Sequence, residues 1–277
     1  MKTGLCLRTY NIDLDTDVCN PHNNADLTIT LRVGFRQINP AGAAAEGTYN
    51  DYGKATGTAR KTIKWTPPAW ALWKTNFVIS AQNYWHGKFW LVNNFPVYEF
   101  ERAGKKYRPN IWCRFKLIGE DAGIGPDDHV IDVVRLHRSE TWFGSHSTLY
   151  DSLDTKMVQK GTDSAGKAIM QRAHVHEIGH LLGMAHVDVG KAHCPPGSDT
   201  NAAACYGVTD TDSNSVMGQG MQLRASQANP WRKAIMQLSG KGSESVATDW
   251  GAKLVRHYPR LPEEVAANLA ITRWPHR

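Results

Sequence analysis

The sequence predicts an α+β protein in which a twisted, mixed sheet is backed by helices. Apolar and polar residues alternate over residues 26–37 and again over 108–119, as expected of strands with one buried face. Between them, residues 67–86 place aromatic and aliphatic side chains at helical spacing, after two prolines that suit a first turn. The order of strand, long helix and further strands indicates a sheet with helices packed on it.

The remaining pattern is less regular. Residues 129–137 predict an apolar strand, and residues 144–150 predict a short edge strand. Short helices are predicted from residue 229 to a glycine at 240, and from Pro262, where acidic residues suit the helix dipole. The sequence shows neither an internal repeat nor a clear linker, so we expect one domain over residues 1–277.

Composition narrows the classes of partner. The chain of 277 residues is 41% hydrophobic and carries a formal charge of +6, with a pI of about 9.0. Its basic residues are scattered, without the clustered pattern of a nucleic-acid interface, so no nucleic-acid partner is expected. No apolar stretch reaches membrane-spanning length. The first residues lack the apolar core of a signal peptide, which favours export by another route or a domain of a longer chain.

A helix is predicted to carry the most informative residues. Asp163 and Ser164 are suitable N-caps for a helix that continues through Ile169 to Leu182. Gly183 is expected to end this helix, because glycine accepts the positive φ of a C-terminal turn.

The segment from His176 to His186 has the spacing of a metal site. His176 and His180 lie four residues apart, hence on one helix face, where both can bind one ion. Glu177 can then reach a water on that ion without being a ligand. The turn at Gly183 allows His186 to return as a third ligand, which predicts one catalytic Zn²⁺ in an open, three-histidine site.

This pattern, H-E-x-x-H-x-x-G-x-x-H, resembles the signature of the metzincin family of zinc peptidases. The resemblance implies the zincin/metzincin fold, with two long helices above the zinc cleft and an irregular, partly helical C-terminal subdomain. The upper and lower subdomains would span about 1–183 and 184–277. It also implies a Met-turn, for which Met217 in Ser-Val-Met-Gly is the favoured residue and Met221 the weaker alternative.

The chain departs from the family pattern at two places. Some metzincins carry a tyrosine two residues after the Met-turn methionine, where this chain has Gln219. The residues after the third histidine, Val187 and Asp188, match no subfamily cleanly. The subfamily and the substrate specificity therefore stay open.

The resemblance implies hydrolysis of peptide bonds in a protein or peptide substrate, with Glu177 as the general base. The substrate would lie extended along an edge strand near residues 145–150. His174, on another helix face, is expected to be satisfied elsewhere or exposed. His193 and Tyr206 follow the site and are alternatives for stabilising the oxyanion, although each also fits an ordinary loop residue.

Four of the five cysteines could form disulfides if the protein works in an oxidising compartment, the alternative being unpaired loop cysteines. Cys194 and Cys205 bracket a turn-rich loop, and Cys6 and Cys19 bracket a polar stretch, so either pair fits a disulfide. Cys113 lies in a strand pattern and is expected to be buried. No pair has the spacing of a cysteine-built zinc site.

The front half is rich in tryptophan, and the chain also resembles toxin domains delivered by bacterial contact-dependent secretion systems. That resemblance implies delivery outside the producing cytoplasm, for example to the periplasm of a target cell, together with a larger delivery protein and a cognate inhibitor. Two other functions stay open: a zinc amidase acting on peptidoglycan, and an inert zinc-binding interaction module. The presence of Glu177 argues against the inert module.

Overall fold

The computed structural model describes residues 2–6, 10–15, 24–42, 44–50, 54–93, 100–102, 104–107, 110–123, 129–141, 148–238 and 250–255. The strands, in chain order, are β1 (Lys2–Cys6), β2 (Tyr10–Asp15), β3 (Asn24–Ile38), β4 (Glu46–Asn50), β5 (Ala59–Ile63), β6 (Phe89–Asn93), β7 (Phe100–Arg102), β8 (Lys105–Tyr107), β9 (Asn110–Asp121), β10 (His129–Val134), β11 (Leu149–Asp151), β12 (Val158–Thr162), β13 (Ala168–Gln171) and β14 (Trp250–Leu254). The α-helices are α1 (Pro67–Trp85), α2 (Ala173–Leu181), α3 (Asp210–Ser213) and α4 (Asn229–Leu238).

Contacts group the chain into two units. The first contains residues 1–31, 84–116 and 223–277, and the second contains residues 32–83 and 117–222. The predicted boundary near residue 183 between an upper and a lower subdomain stays a prediction. In the described part of the chain, no helix is long and apolar enough to cross a membrane.

The first unit is built on antiparallel strands. Strand β2 pairs with β1 and with the first half of β3, and β6 lies between β9 and β14. Alternate residues of these strands, such as Ile12, Leu14 and Ile29, are fully or almost fully buried, which is the period-two burial that the sequence pattern predicts. Helix α4 contributes Trp231, whose ring lies 5.5 Å from that of Phe89.

The second unit adds parallel strands, so the sheet is mixed, as predicted. Strand β10 runs parallel to the second half of β3, and β11 runs parallel to β10. Helix α1 packs an aromatic row onto Phe35, with ring centroids 5.3 Å away for Trp73 and 5.0 Å away for Phe77. Each such ring pair contributes about 0.5–1.5 kcal/mol beyond the burial of its surface.

Several predicted elements are confirmed, and the overall class is α+β. Strand β3 covers the predicted strand 26–37, α1 covers all but the last residue of the helix 67–86, β10 covers most of 129–137, and α4 is the helix that begins at residue 229. Strand β9 covers residues 110–119 of the predicted strand 108–119, whose first two residues lie outside the described residues. Of the predicted strand 144–150, residues 144–147 lie outside the described residues, and β11 begins at Leu149. The predicted helix from Pro262 also lies outside them.

The predicted start of the histidine-bearing helix is wrong. Asp163 and Ser164 lie in the turn of the β12–β13 hairpin, where the Asp163 carboxylate accepts hydrogen bonds from the backbone N–H of Ala165 and Lys167. Ile169, predicted to be helical, is a buried residue of β13. The same residue types that cap helices also stabilise tight turns, and here strand pairing decides between the two. Helix α2 begins only at Ala173.

Candidate metal centre

The structure brings three predicted histidines together. His176 and His180 lie one turn apart on α2, and the chain leaves the helix at Gly183, whose φ is 86°. His186 follows that turn. The Nε2 atom of His180 lies 3.0 Å from Nε2 of His176 and 3.0 Å from Nε2 of His186. Among the residues that the structure describes, this is the group with the geometry to hold a metal ion.

Each ring is fixed by a backbone carbonyl at its other nitrogen. The Nδ1 atom of His176 lies 2.7 Å from the Val216 carbonyl oxygen, and Nδ1 of His180 lies 2.8 Å from that of Met184. Nδ1 of His186 lies 2.6 Å from the carbonyl oxygen of Thr200. A carbonyl oxygen only accepts, so each Nδ1 must carry the proton and donate it. Every Nε2 is then left with a bare lone pair.

This donor set fits zinc. The Nε2 atom of His180 lies 3.0 Å from each of the other two, and these lone pairs cannot hydrogen-bond among themselves once the protons lie on Nδ1, so a cation would resolve their repulsion. Tetrahedral zinc with Zn–N bonds of about 2.0–2.1 Å needs ligand atoms about 3.3 Å apart, close to the separation seen here. Three neutral imidazoles also leave one position open for water or substrate.

Burial keeps the three rings neutral. It lowers the pKa of His176 well below the usual value, and it lowers that of His180 as well. For His186, burial lowers the pKa to about 4, although the hydrogen bond to the Thr200 carbonyl opposes the change. Neutral imidazole is the form that binds metal, so near neutral pH the three histidines are in the form that could hold an ion.

Glu177 directly follows His176 on α2 and is buried. Burial raises the pKa of Glu177 to about 8, and the positive charge of Lys160 opposes this shift. A divalent cation on the neighbouring imidazoles would lower that pKa again, because an adjacent positive charge favours the carboxylate. The structure thus has a buried acid of raised pKa directly after the first of the three histidines in the chain.

Lys160 is a charged neighbour of this site that the sequence did not reveal. The register of the β12–β13 hairpin shifts between Gln159 and Gly161, and this bulge leaves Lys160 as the extra residue. Burial lowers the pKa of Lys160 to about 8, while the acidic groups of Asp154 and Glu177 oppose that shift. A bulge that redirects one side chain depends on strand pairing, and no local sequence signal marks it.

Met217 lies in a turn, and its role as a Met-turn residue stays a prediction. Its backbone carbonyl accepts a hydrogen bond of 3.0 Å from the N–H of Val187, directly after the third histidine, and its side chain is buried. A β-bridge between Ser215 and Gln222 closes the turn. The alternative, Met221, has its sulfur 3.4 Å from the backbone nitrogen of Arg172, at the start of α2.

Of the three other residues singled out in the sequence, one contacts the histidine cluster and two have partners elsewhere. The Tyr206 ring packs on His186 with centroids 3.8 Å apart, so it belongs to the site. His193 instead lies 2.8 Å from the Asp188 carboxylate. His174 is buried and satisfied, as expected, because its two nitrogens lie 2.9 Å from the Asp154 carbonyl oxygen and 2.6 Å from the Ser80 hydroxyl.

A disulfide joins Cys194 to Cys205, whose Cα atoms lie 5.2 Å apart. The closed loop contains Thr200, whose carbonyl holds His186, and it ends one residue before Tyr206. The bond therefore fixes the segment that surrounds the third histidine. Cys113 is buried as a free thiol, as expected, whereas Cys19 lies outside the described residues, so the pairing of Cys6 with Cys19 stays a prediction.

The chain was compared with protein-family models, curated proteins and solved structures. No family model matches the chain, and neither the curated proteins nor the solved structures contain a match.

Proposed function

We propose that this protein is a zinc-dependent endopeptidase of the metzincin type, with His176, His180 and His186 as ligands and Glu177 as the general base. The observation that carries the proposal is the set of three histidine nitrogens that lie within 4.8 Å of one another, with a buried glutamate directly after the first histidine in the chain. Three imidazoles with an adjacent carboxylate form an open site of the kind used for hydrolysis.

In the proposed hydrolysis, a bound metal and the side chains of the protein have different roles. A bound zinc ion would supply a Lewis acid that acidifies water and polarises a carbonyl group. Glu177 takes a proton from the attacking water and delivers it to the leaving amine, so both transfers use one carboxylate. Tyr206, packed against His186, forms part of the wall against which a substrate carbonyl would rest.

The proposal extends to the fold and the location. The mixed sheet, helices α1 and α2, and the turn at Met217 support a zincin-like arrangement. The disulfide between Cys194 and Cys205 supports work in an oxidising space, hence delivery out of the producing cytoplasm. A larger delivery protein and a cognate inhibitor are the partners that such a route implies.

The proposal is tested by an unbiased cleavage survey. Zinc-loaded protein is incubated with a bacterial periplasmic extract and with unfolded casein, and new N-termini are identified by mass spectrometry. We expect internal cleavage that a zinc chelator abolishes and that added zinc restores. Release of peptidoglycan fragments without new protein N-termini would support the amidase instead. An inert protein with zinc bound would support the interaction module.

A further inference from the structure

The Gln171 side chain lies at a junction between the metal site and the Met-turn. Gln171 ends β13, two residues before α2, and it is only 3% exposed. Its Nε2 atom lies 2.9 Å from the carbonyl oxygen of Gly218 and 3.2 Å from that of Gly220. The Val216 carbonyl oxygen, at 3.3 Å, is a third acceptor.

Gln171 donates to these three carbonyls from outside the turn. The turn points them at one buried location, where carbonyl oxygens cannot satisfy one another. A carboxamide offers two N–H groups from a single nitrogen, one of which is shared between two of the three oxygens, and it carries no charge that would be costly to bury. Among uncharged side chains, only glutamine and asparagine have such a group.

One of these carbonyls is also part of the metal site. The Val216 oxygen accepts the Nδ1 proton of His176 at 2.7 Å, and a carbonyl has a second lone pair for the amide of Gln171. The Gln171 nitrogen itself lies 3.4 Å from Nδ1 of His176. Gln171 therefore holds the oxygen that fixes both the orientation and the tautomer of the first ligand.

We propose that Gln171 is a positioning residue for the metal centre, which couples the Met-turn to His176 through the Val216 carbonyl. The inference rests on the metal-binding part of the proposed function and does not require catalysis. Without this amide the turn relaxes, His176 loses its fixed acceptor, and the Nε2 lone pair is less well aimed. Changes to such supporting partners typically weaken metal binding by about 10- to 100-fold.

The test compares three variants. Gln171→Glu and Gln171→Met keep the length of the side chain but remove the two-proton donor. Gln159→Met makes the same change at an exposed position on the facing strand of the hairpin, so it serves as the matched control. Zinc affinity is measured by competition with a coloured chelator, and histidine tautomers are read from long-range ¹H–¹⁵N spectra of the metal-free proteins.

We expect both Gln171 variants to bind zinc about 10- to 100-fold more weakly. In the same variants the Nδ1–H signal of His176 should broaden or shift to the other tautomer. The signals of His180 and His186 should stay, because Met184 and Thr200 hold those rings. The control should match the wild type in both measurements.

Lowered thermal stability with unchanged zinc affinity and an unchanged His176 signal would overturn the inference, because Gln171 would then be only structural. If neither Gln171 variant folds, the inference is tested by NMR on the wild-type protein. Its Gln171 amide protons should exchange slowly with solvent and show a nuclear Overhauser contact to the His176 Nδ1 proton, and fast exchange without that contact overturns the inference. Absence of hydrolysis by the zinc-loaded wild type would bear on the proposed function alone and would leave this inference standing.

Discussion

At the scale of single residues, each metal-site histidine depends on a carbonyl that its own spacing does not reveal. The clustering of His176, His180 and His186 could be predicted because residues four apart lie on one face of a helix and a turn follows it. The acceptors at Val216 and Thr200 lie 40 and 14 residues from their histidines. Such partners arise only when distant segments pack, so the sequence predicted the three histidines that cluster and missed the groups that support them, Gln171 included.

The ligand assignment is tested by changing the third histidine. His186→Ala should weaken zinc binding by more than about 100-fold, because it removes a ligand rather than a supporting partner. His193→Ala, a change in the same loop at a residue paired with Asp188, should retain wild-type affinity. The measurement is zinc content after dialysis together with the competition assay. Equal zinc in both variants would remove His186 from the site.

At the scale of elements, long regular patterns were predicted well and short ambiguous ones were not. Strands β3 and β9 repeat their period over 15 and 12 residues, which leaves little room for another interpretation. The segment from Asp163 to Gln171 is shorter, and its turn residues fit both a helix cap and a hairpin. The register that decides it, and the bulge at Lys160, depend on cross-strand hydrogen bonds.

The end of α2 gives a prediction at this scale. Gly183→Ala places a side chain at a φ of 86°, which should lower the free energy of unfolding by about 1–2 kcal/mol and displace the turn that leads to His186. Gly166→Ala, in the β12–β13 turn at a φ of 80°, meets a similar backbone penalty away from the ligands. Chemical denaturation should show comparable losses, whereas only Gly183→Ala should weaken zinc binding. Equal zinc affinity in the two variants would contradict this role for the turn.

At the scale of the whole molecule, composition and element order were enough for the α+β class. The grouping of alternating chain segments into two units could not be predicted from the sequence, because it depends on which distant segments pack together. The metzincin fold itself stays a proposal. The disulfide could be predicted from local sequence, since Cys194 and Cys205 bracket one loop.

The disulfide should stabilise the protein and its metal site together. Replacing both cysteines with serine should lower the free energy of unfolding by about 3 kcal/mol, the value expected for a ring of this size. Because the ring contains Thr200, zinc affinity should fall as well. Denaturation and zinc competition, each with and without a reductant, measure both effects. The wild type should respond to the reductant and the double variant should not, and a wild type insensitive to reduction would contradict the prediction.

The central claim is that a zinc site with Glu177 as its base hydrolyses peptide bonds, and Glu177→Gln tests it most directly. The carboxamide keeps the shape of the side chain but cannot accept a proton, so zinc should remain bound. Hydrolysis of a substrate identified in the cleavage survey should fall by about 10²- to 10⁴-fold. Rates of the zinc-loaded wild type and variant are compared at matched metal content. A variant that hydrolyses the same peptide at the wild-type rate would contradict the account.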